Sequence, residues 1–194
     1  MPRTADKQLE GRIVDAAYQL WSQGGEHALT MRAVARAART TTPTLYERFK
    51  DKHQLLAFMR ARATQRALSS LQPAKCAAEV CELALKFTSA NGNEYLLLAS
   101  DWALRLKRRE PLPFYTFLKA KLGYDLGGPP ENYARLAMSL LSMVHGAAMF
   151  LLAEGIDERV SKEVRSACLD ACHFLIDNAR HGFDGKVRDP ELGL

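Results

Sequence analysis

Apolar positions recur along this chain with the spacing of helices, not of strands. Leu9, Ile13, Ala16, Ala17 and Leu20 share one face over residues 6–23, and Gly24-Gly25 then supplies a natural carboxyl-terminal stop. Behind an N-cap at Thr30, Met31, Val34, Ala35 and Ala38 follow the i, i+3, i+4, i+7 pattern, which turns Arg32, Arg36 and Arg39 outward. Thr41 is a second N-cap. Pro43 falls in the first turn after it, where a missing amide proton does no harm, and Leu45, Tyr46 and Phe49 continue at helical spacing. Asp51 caps a longer helix over 52–70, with Gln54 at the third position completing a capping-box-like pair.

The remainder is helical too. Pro73 opens an apolar stretch over Cys76 to Ala90, Asn91-Gly92-Asn93 is a turn, 94–109 reads as one helix, and Pro111 or Pro113 opens another that runs to Leu122. Gly127-Gly128-Pro129-Pro130 breaks the chain. The two longest patterns, 131–154 and 158–181, are separated by Gly155-Ile156-Asp157 and carry more apolar positions than one face can hold, so they need two partners, the core and another subunit. A polar tail follows from Gly182. The expectation is an all-α chain of about nine helices, with an amino-terminal three-helix helix-turn-helix domain over 1–52 and a larger helical domain over 53–194. Helix 52–70 links the two, and at ~1.5 Å rise per residue it spans roughly 27 Å, long enough to act as a lever.

Two short helices joined by a tight turn place the second in a DNA major groove, its first side chains at base edges. Here those side chains are Thr42, Pro43 and Thr44, whose methyl and methylene groups suit thymine methyls. Charge agrees with that placement. Residues 1–66 hold 12 Lys/Arg against 6 Asp/Glu, a balance of +6, whereas 67–194 hold 15 against 16, a balance of −1. A basic amino-terminal third suits phosphate neutralisation by one domain. With 194 residues, 47% of them hydrophobic, one further helical core is affordable and a third domain is not expected.

Other chemistries find little support. Gly-x-Gly-x-x-Gly and phosphate-loop patterns are absent, and Asp170-x-x-His173 lacks the second Glu-x-x-His copy of a di-iron bundle, so neither an enzyme nor a cofactor is expected. Cys76, Cys81, Cys168 and Cys172 lie in alanine-rich helical stretches and read as reduced, buried thiols, although Cys168 and Cys172 at i, i+4 beside His173 leave a metal or redox role open. The longest unbroken apolar run, Ala147 to Ala153, is far short of the ~20 residues of a membrane span. The start, Met-Pro-Arg-Thr-Ala-Asp-Lys, has no apolar signal core, so no membrane partner and a cytoplasmic location are expected.

Over Ile13 to Leu56 the sequence resembles the tetracycline-repressor (TetR-like) family. The matching residues are Ile13, Ala16, Ala17, Leu20, Gly24, Thr30-Met31, Val34-Ala35, Ala38, Thr44-Leu45-Tyr46, Phe49, Lys52 and Leu55-Leu56. One segment departs: the family's Ala-Gly-Val-Ser turn is here Ala38-Arg39-Thr40-Thr41, which replaces a glycine where positive φ is convenient. The resemblance implies a homodimer whose last two long helices from each chain pair into a four-helix interface, binding a palindromic operator. It implies base approach by Thr42, Pro43 and Thr44 and phosphate contacts from Thr30, Lys50, Lys52 and Tyr46, with Arg39 and Thr41 beside them. For Tyr46 a ring packed between helices is the other reading. A ligand cavity is implied in the larger domain, with candidates Phe87, Trp102, Leu106, Phe114, Phe117, Met143, His145 and Met149. His145 sits among apolar neighbours and needs a hydrogen-bond partner, either a ligand or a backbone carbonyl. The function so implied is a regulator, most simply a repressor released by a small apolar or amphipathic ligand. The competing reading is a helical ligand-binding or interaction protein whose DNA reader has degenerated.

Overall fold

A computed structural model describes residues 3–180; the polar tail expected from Gly182 lies outside the described residues. Among those residues every regular element is helical, and the chain divides into two compact units.

The first unit comprises Met1–Gln65 with Asn93–Ser100. It holds α1 (Arg3–Ala28), α2 (Met31–Ala37), α3 (Thr42–Tyr46), the start of α4 (Lys52–Leu71) and most of α6 (Gly92–Ala99). The stop expected after α1 is present as a kink, with Gly24 and Gly25 in non-helical conformations and Gly25 at φ +61°. The apolar faces read from spacing converge on one core: Ile13, Val14 and Ala17 from α1, Val34 from α2, Leu45 from α3 and Leu55 and Met59 from α4, joined by Leu97 from α6. Phe49 and Phe58 meet edge to face at 5.4 Å, and the Tyr18 hydroxyl donates to the Met59 carbonyl at 2.7 Å. That bond ties α1 to α4 where both are buried, so Tyr18 brings its polar end into the core satisfied.

The stretch 94–109 is two helices, α6 and α7 (Trp102–Lys107), where the sequence suggested one. The division follows the unit boundary: Leu97 is buried in the core of the first unit, whereas residues from Asp101 onward belong to the second. Local bonds close each side. The Ser100 hydroxyl donates back to the Leu97 carbonyl at 2.7 Å, and Arg105 Nε donates to Asp101 Oδ2 at 2.9 Å.

The second unit packs α5 (Ala77–Ala90), α8 (Pro113–Leu126), α9 (Ala134–Leu151) and α10 (Glu158–Arg180), with α9 in contact with each of the other three. Cys76 offers α5 no side-chain cap; instead Ala77 N–H donates to the Asp125 carboxylate of α8, so one helix end is satisfied by another helix. Gly127 and Gly128, at φ +81° and +96°, turn the chain after α8 into a 3-10 turn over Pro130–Tyr133. A Cβ at Gly123 would lie 3.1 Å from the Gly128 carbonyl, so a glycine there lets the turn fold back on α8.

One expectation is corrected. Pro130–Leu151, 22 residues, is long and apolar enough on average to cross a membrane, which a search for unbroken runs overlooks because Ser139, Ser142 and His145 interrupt it. Its burial shows the role of that composition. Leu136, Ala137, Leu140, Leu141, Val144, Ala147 and Ala148 are buried against the other helices of the unit, as in the central helix of a helical bundle.

Candidate nucleic-acid interface

The interface is built from two helices too short to persist alone, since isolated helices below about 12 residues are marginal in water. α2 starts at Thr30, whose extended backbone lets its hydroxyl accept from Ala33 N–H at 3.1 Å. It ends in a Schellman turn: Arg39 N–H donates to the Arg36 carbonyl at 3.2 Å and Thr40 N–H to the Ala35 carbonyl at 2.9 Å. The turn needs a left-handed residue, and Arg39 supplies it at φ +53°. An arginine there costs about 1 kcal/mol relative to glycine, because Cβ crowds the following carbonyl. The departure from the Ala-Gly-Val-Ser pattern therefore leaves the turn geometry in place and charges it with strain.

α3 is held by its ends and one anchor. Thr41 Oγ1 accepts from Thr44 N–H at 3.3 Å, and the two threonine hydroxyls lie 2.9 Å apart. Leu45 is fully buried and Phe49 nearly so, which pins one face of the helix to the core and fixes the other outward. On that outer side Thr41, Pro43 and Tyr46 are exposed, with Thr42 and Thr44 half-buried. Tyr46 is 51% exposed, which decides against a ring packed between helices and leaves its hydroxyl at the surface. Thr30, Arg39 and Lys50 are exposed as well.

Lys52 is committed locally. Its Nζ lies 3.4 Å from Glu26 Oε1 and donates to the Glu26 carbonyl at 3.2 Å, so part of its charge is already answered within the protein. The expected cap of α4 is also modified. Asp51 Oδ1 accepts from Gln54 N–H at 2.8 Å, but the Gln54 side chain reaches past Asp51 to accept from Lys50 N–H. The reciprocal arrangement survives, displaced by one residue.

The ligand candidates of the second unit differ in burial. Trp102 and His145 come together with ring centroids 5.0 Å apart, and burial lowers the His145 pKa below the usual imidazole value. Phe87 is buried on α5; Phe114, Phe117 and Met143 are half-buried; Leu106 and Met149 are exposed, at 37% and 44%. The last two stand at the surface of this chain, since α7 buries none of its residues and Met149 faces away from the packed side of α9.

Beside Cys168 and Cys172, whose spacing placed them together, a third buried thiol, Cys81, influences the titration of Cys172. Cys168 and Cys172 are buried on α10 and Cys81 is buried on α5, with Cys168 and Cys81 both close enough to shift the pKa of Cys172, while His173 is exposed. Interaction with Cys172, with burial behind it, pushes the Cys168 thiol far above its ordinary range. Cys172 is lowered by Cys168 but raised further by Cys81 and by burial, ending at about 12. Protonated, buried thiols are poor nucleophiles and poor metal ligands, and among the described residues no cluster with metal-binding geometry occurs.

A helix-turn-helix on a small helical core, followed by a larger helical unit, defines a class of protein. Residues 13–59 match the family model described as "Bacterial regulatory proteins, tetR family", so the amino-terminal domain is similar to the domain that defines that family. Over 62 residues it is 44% identical to the HTH-type transcriptional repressor KstR of Rhodococcus jostii (strain RHA1); that match covers 32% of this chain and spans 29% of the relative. The whole fold extends the likeness. A TetR-like transcriptional regulator from Rhodococcus sp. RHA1 superposes with a TM-score of 0.65 at 20% identity, covering 90% of this chain and 96% of that one. PfmR, a TetR family regulator from Thermus thermophilus, does so at 0.63 and 16% identity, covering 86% and 97%. Salmonella enterica GusR does so at 0.62 and 17%, covering 90% and 96%. KstR is named as a transcriptional repressor, and the Rhodococcus structure and PfmR as transcriptional regulators.

Proposed function

We propose that this chain is a cytoplasmic, ligand-responsive transcriptional repressor that binds palindromic operator DNA as a homodimer and is released by a small apolar or amphipathic molecule. The observation that carries the reading is α3: a single turn whose inner face is fixed by Leu45 while Thr42, Pro43, Thr44 and Tyr46 are left at or near the surface of a basic domain. Such a helix suits the major groove, with Thr30 and Lys50 placed for phosphates and Lys52 shared with Glu26. Arg39 takes the conformation a glycine would take, which supports an intact reader over a degenerate one.

Dimerisation through α9 and α10 is supported by apolar side chains left at the surface. Val160 is 42% and Phe174 67% exposed, with exposed Ala167 midway between them, and Phe150 of α9 is 64% exposed. Residues 160, 167 and 174 repeat every seventh position, the period of a helix-pairing seam. Two readers so joined would meet half-sites ~34 Å apart or a multiple of it. For the effector, the paired Trp102 and His145, the half-buried Phe114, Phe117 and Met143, and the buried Phe87 are the candidates. α4, which contributes to both units, would carry the response, and a coupling of ~1–3 kcal/mol is sufficient.

The test is selection of binding sites from random duplex DNA by the ligand-free protein. Enrichment of a palindrome is expected. A folded dimer that enriches nothing beyond what a basic control protein enriches would refute the repressor reading and turn attention to the helical unit as a ligand-binding module.

A further inference from the structure

Arg32, Arg36 and Arg39 stand at i, i+4 and i+7 along α2 and its closing turn, and all three are exposed. The first two are separated by one turn, ~6 Å of rise, and the third lies just before the start of α3. No acidic residue occurs in α2. Like charges at i, i+4 repel one another, so this row works against the helix that carries it. Arg39 adds a left-handed backbone that glycine would hold freely. The left-handed arginine alone is not the signal, because Arg109 ends α7 at φ +56° with the same pair of turn bonds, to Leu106 and, through Glu110 N–H, to Arg105. What marks Arg39 is that it completes a row of three beside the recognition helix.

A polyanion lying along α2 turns the repulsion into attraction and gives the strained arginine a use. We propose that Arg32, Arg36 and Arg39 form a phosphate-gripping edge, which holds the DNA backbone beside the groove that α3 enters. This rests on the DNA-binding reading above and adds a division of labour to it. Phosphate contacts position a protein without reporting sequence, so the row sets affinity and its salt dependence, while Thr42, Pro43 and Thr44 set the sequence read.

The test uses the full chain and a duplex selected by the wild type, with a scrambled duplex beside it. Affinity for both is measured against KCl concentration for the wild type, Arg32→Gln, Arg36→Gln, Arg39→Gly and Arg39→Lys, with Arg108→Gln as an exposed control in the other unit. Each neutralised phosphate contributes a slope of about −0.9 in log K against log salt, so losing one arginine from both subunits of a dimer flattens the slope by about 1.8. The three charge-removing variants are expected to flatten it by that amount, weaken both duplexes by similar factors and leave the enriched sequence unchanged. Arg39→Lys keeps the slope, and Arg108→Gln changes nothing. Arg39→Gly unfolds at a higher temperature than the wild type while binding more weakly, a pairing that a merely structural arginine does not produce. If the wild type binds with a steep slope and the variants retain it, or if they alter the enriched sequence, the edge is not a phosphate grip. If the wild type forms no salt-dependent complex at all, the DNA-binding reading fails first, and this inference with it.

Discussion

Replacing Thr41 with alanine removes the one side-chain cap of α3 and tests whether that helix depends on it. Two bonds are lost, from Thr44 N–H at 3.3 Å and between the two threonine hydroxyls at 2.9 Å. N-cap threonines contribute about 0.5–2 kcal/mol. Here the first bond is long and both bonds are open to solvent, so water replaces much of what is lost and the expected cost is about 0.5–1 kcal/mol. That corresponds to a fall in Tm of ~1–4 °C if the chain melts as one unit and ~2–8 °C if the reader melts alone. The assay is urea unfolding followed by circular dichroism for the wild type, Thr41→Ala and Thr41→Ser. Serine keeps the oxygen and is expected to retain most of the stability. An alanine variant as stable as the wild type, or a serine variant as weakened as alanine, would refute the capping argument and leave Leu45 burial as the sole anchor of α3.

Four further outcomes are expected. Tyr18→Phe removes the buried bond to the Met59 carbonyl and lowers stability by about 1 kcal/mol in denaturant unfolding, with no change in the sequence selected by the protein. Asp125→Ala strips α5 of its borrowed cap, a charge-assisted bond, and costs about 1.5–3 kcal/mol, detected as a lower urea midpoint. Phe174→Glu places a charge on the exposed face of α10 and tests the proposed pairing there: if the wild type sediments as a dimer, the variant is expected to give monomers at the same concentration, and an unchanged dimer would move the proposed interface elsewhere. For His145 the sign follows from burial, which lowers its folded pKa below the ~6.5 of the unfolded chain. The unfolded state then binds more protons, so stability falls as pH drops through 6.5 toward the folded value, and His145→Gln is expected to flatten that decline between pH 7.5 and 5.5 in unfolding measurements.

Apolar periodicity and end signals carried most of the fold. The faces of α1 and α2, the caps at Thr30 and Thr41, the stop at Gly24-Gly25 and the helical pattern after Gly127-Gly128-Pro129-Pro130 all depend on residues close in sequence, and local physics acts on those directly. The features that escaped notice depend on residues far apart. Asp125 caps a helix that begins 48 positions earlier, Glu26 takes up Lys52 from 26 positions away, and Cys81 of α5 shifts the titration of Cys172 on α10; no window along the chain contains both partners of any of these pairs. The division of 94–109 belongs to the same class, because nothing local separates α6 from α7 as strongly as the burial of Leu97 in the first unit does. The candidate DNA surface was legible because a helix-turn-helix is a local motif, whereas a ligand cavity is lined from several helices. Spacing could name its candidates but could not foresee that Leu106 and Met149 stand exposed while Trp102 meets His145.

Arg39 shows how a local conflict carries information that agreement does not. Every neighbouring position follows its own preference: Thr30 and Thr41 cap, Val34 and Leu45 bury, and Pro43 occupies a first turn. Against that consistency, an arginine at φ +53° is a departure that stability alone disfavours, since glycine would relieve about 1 kcal/mol at the same geometry. Consistent local choices describe how the reader folds; the inconsistent one points to what its surface meets. A strained cation beside the recognition helix, in line with two more, fits a surface whose partner is anionic. Its substitution by glycine should therefore separate folding from binding by moving the two in opposite directions.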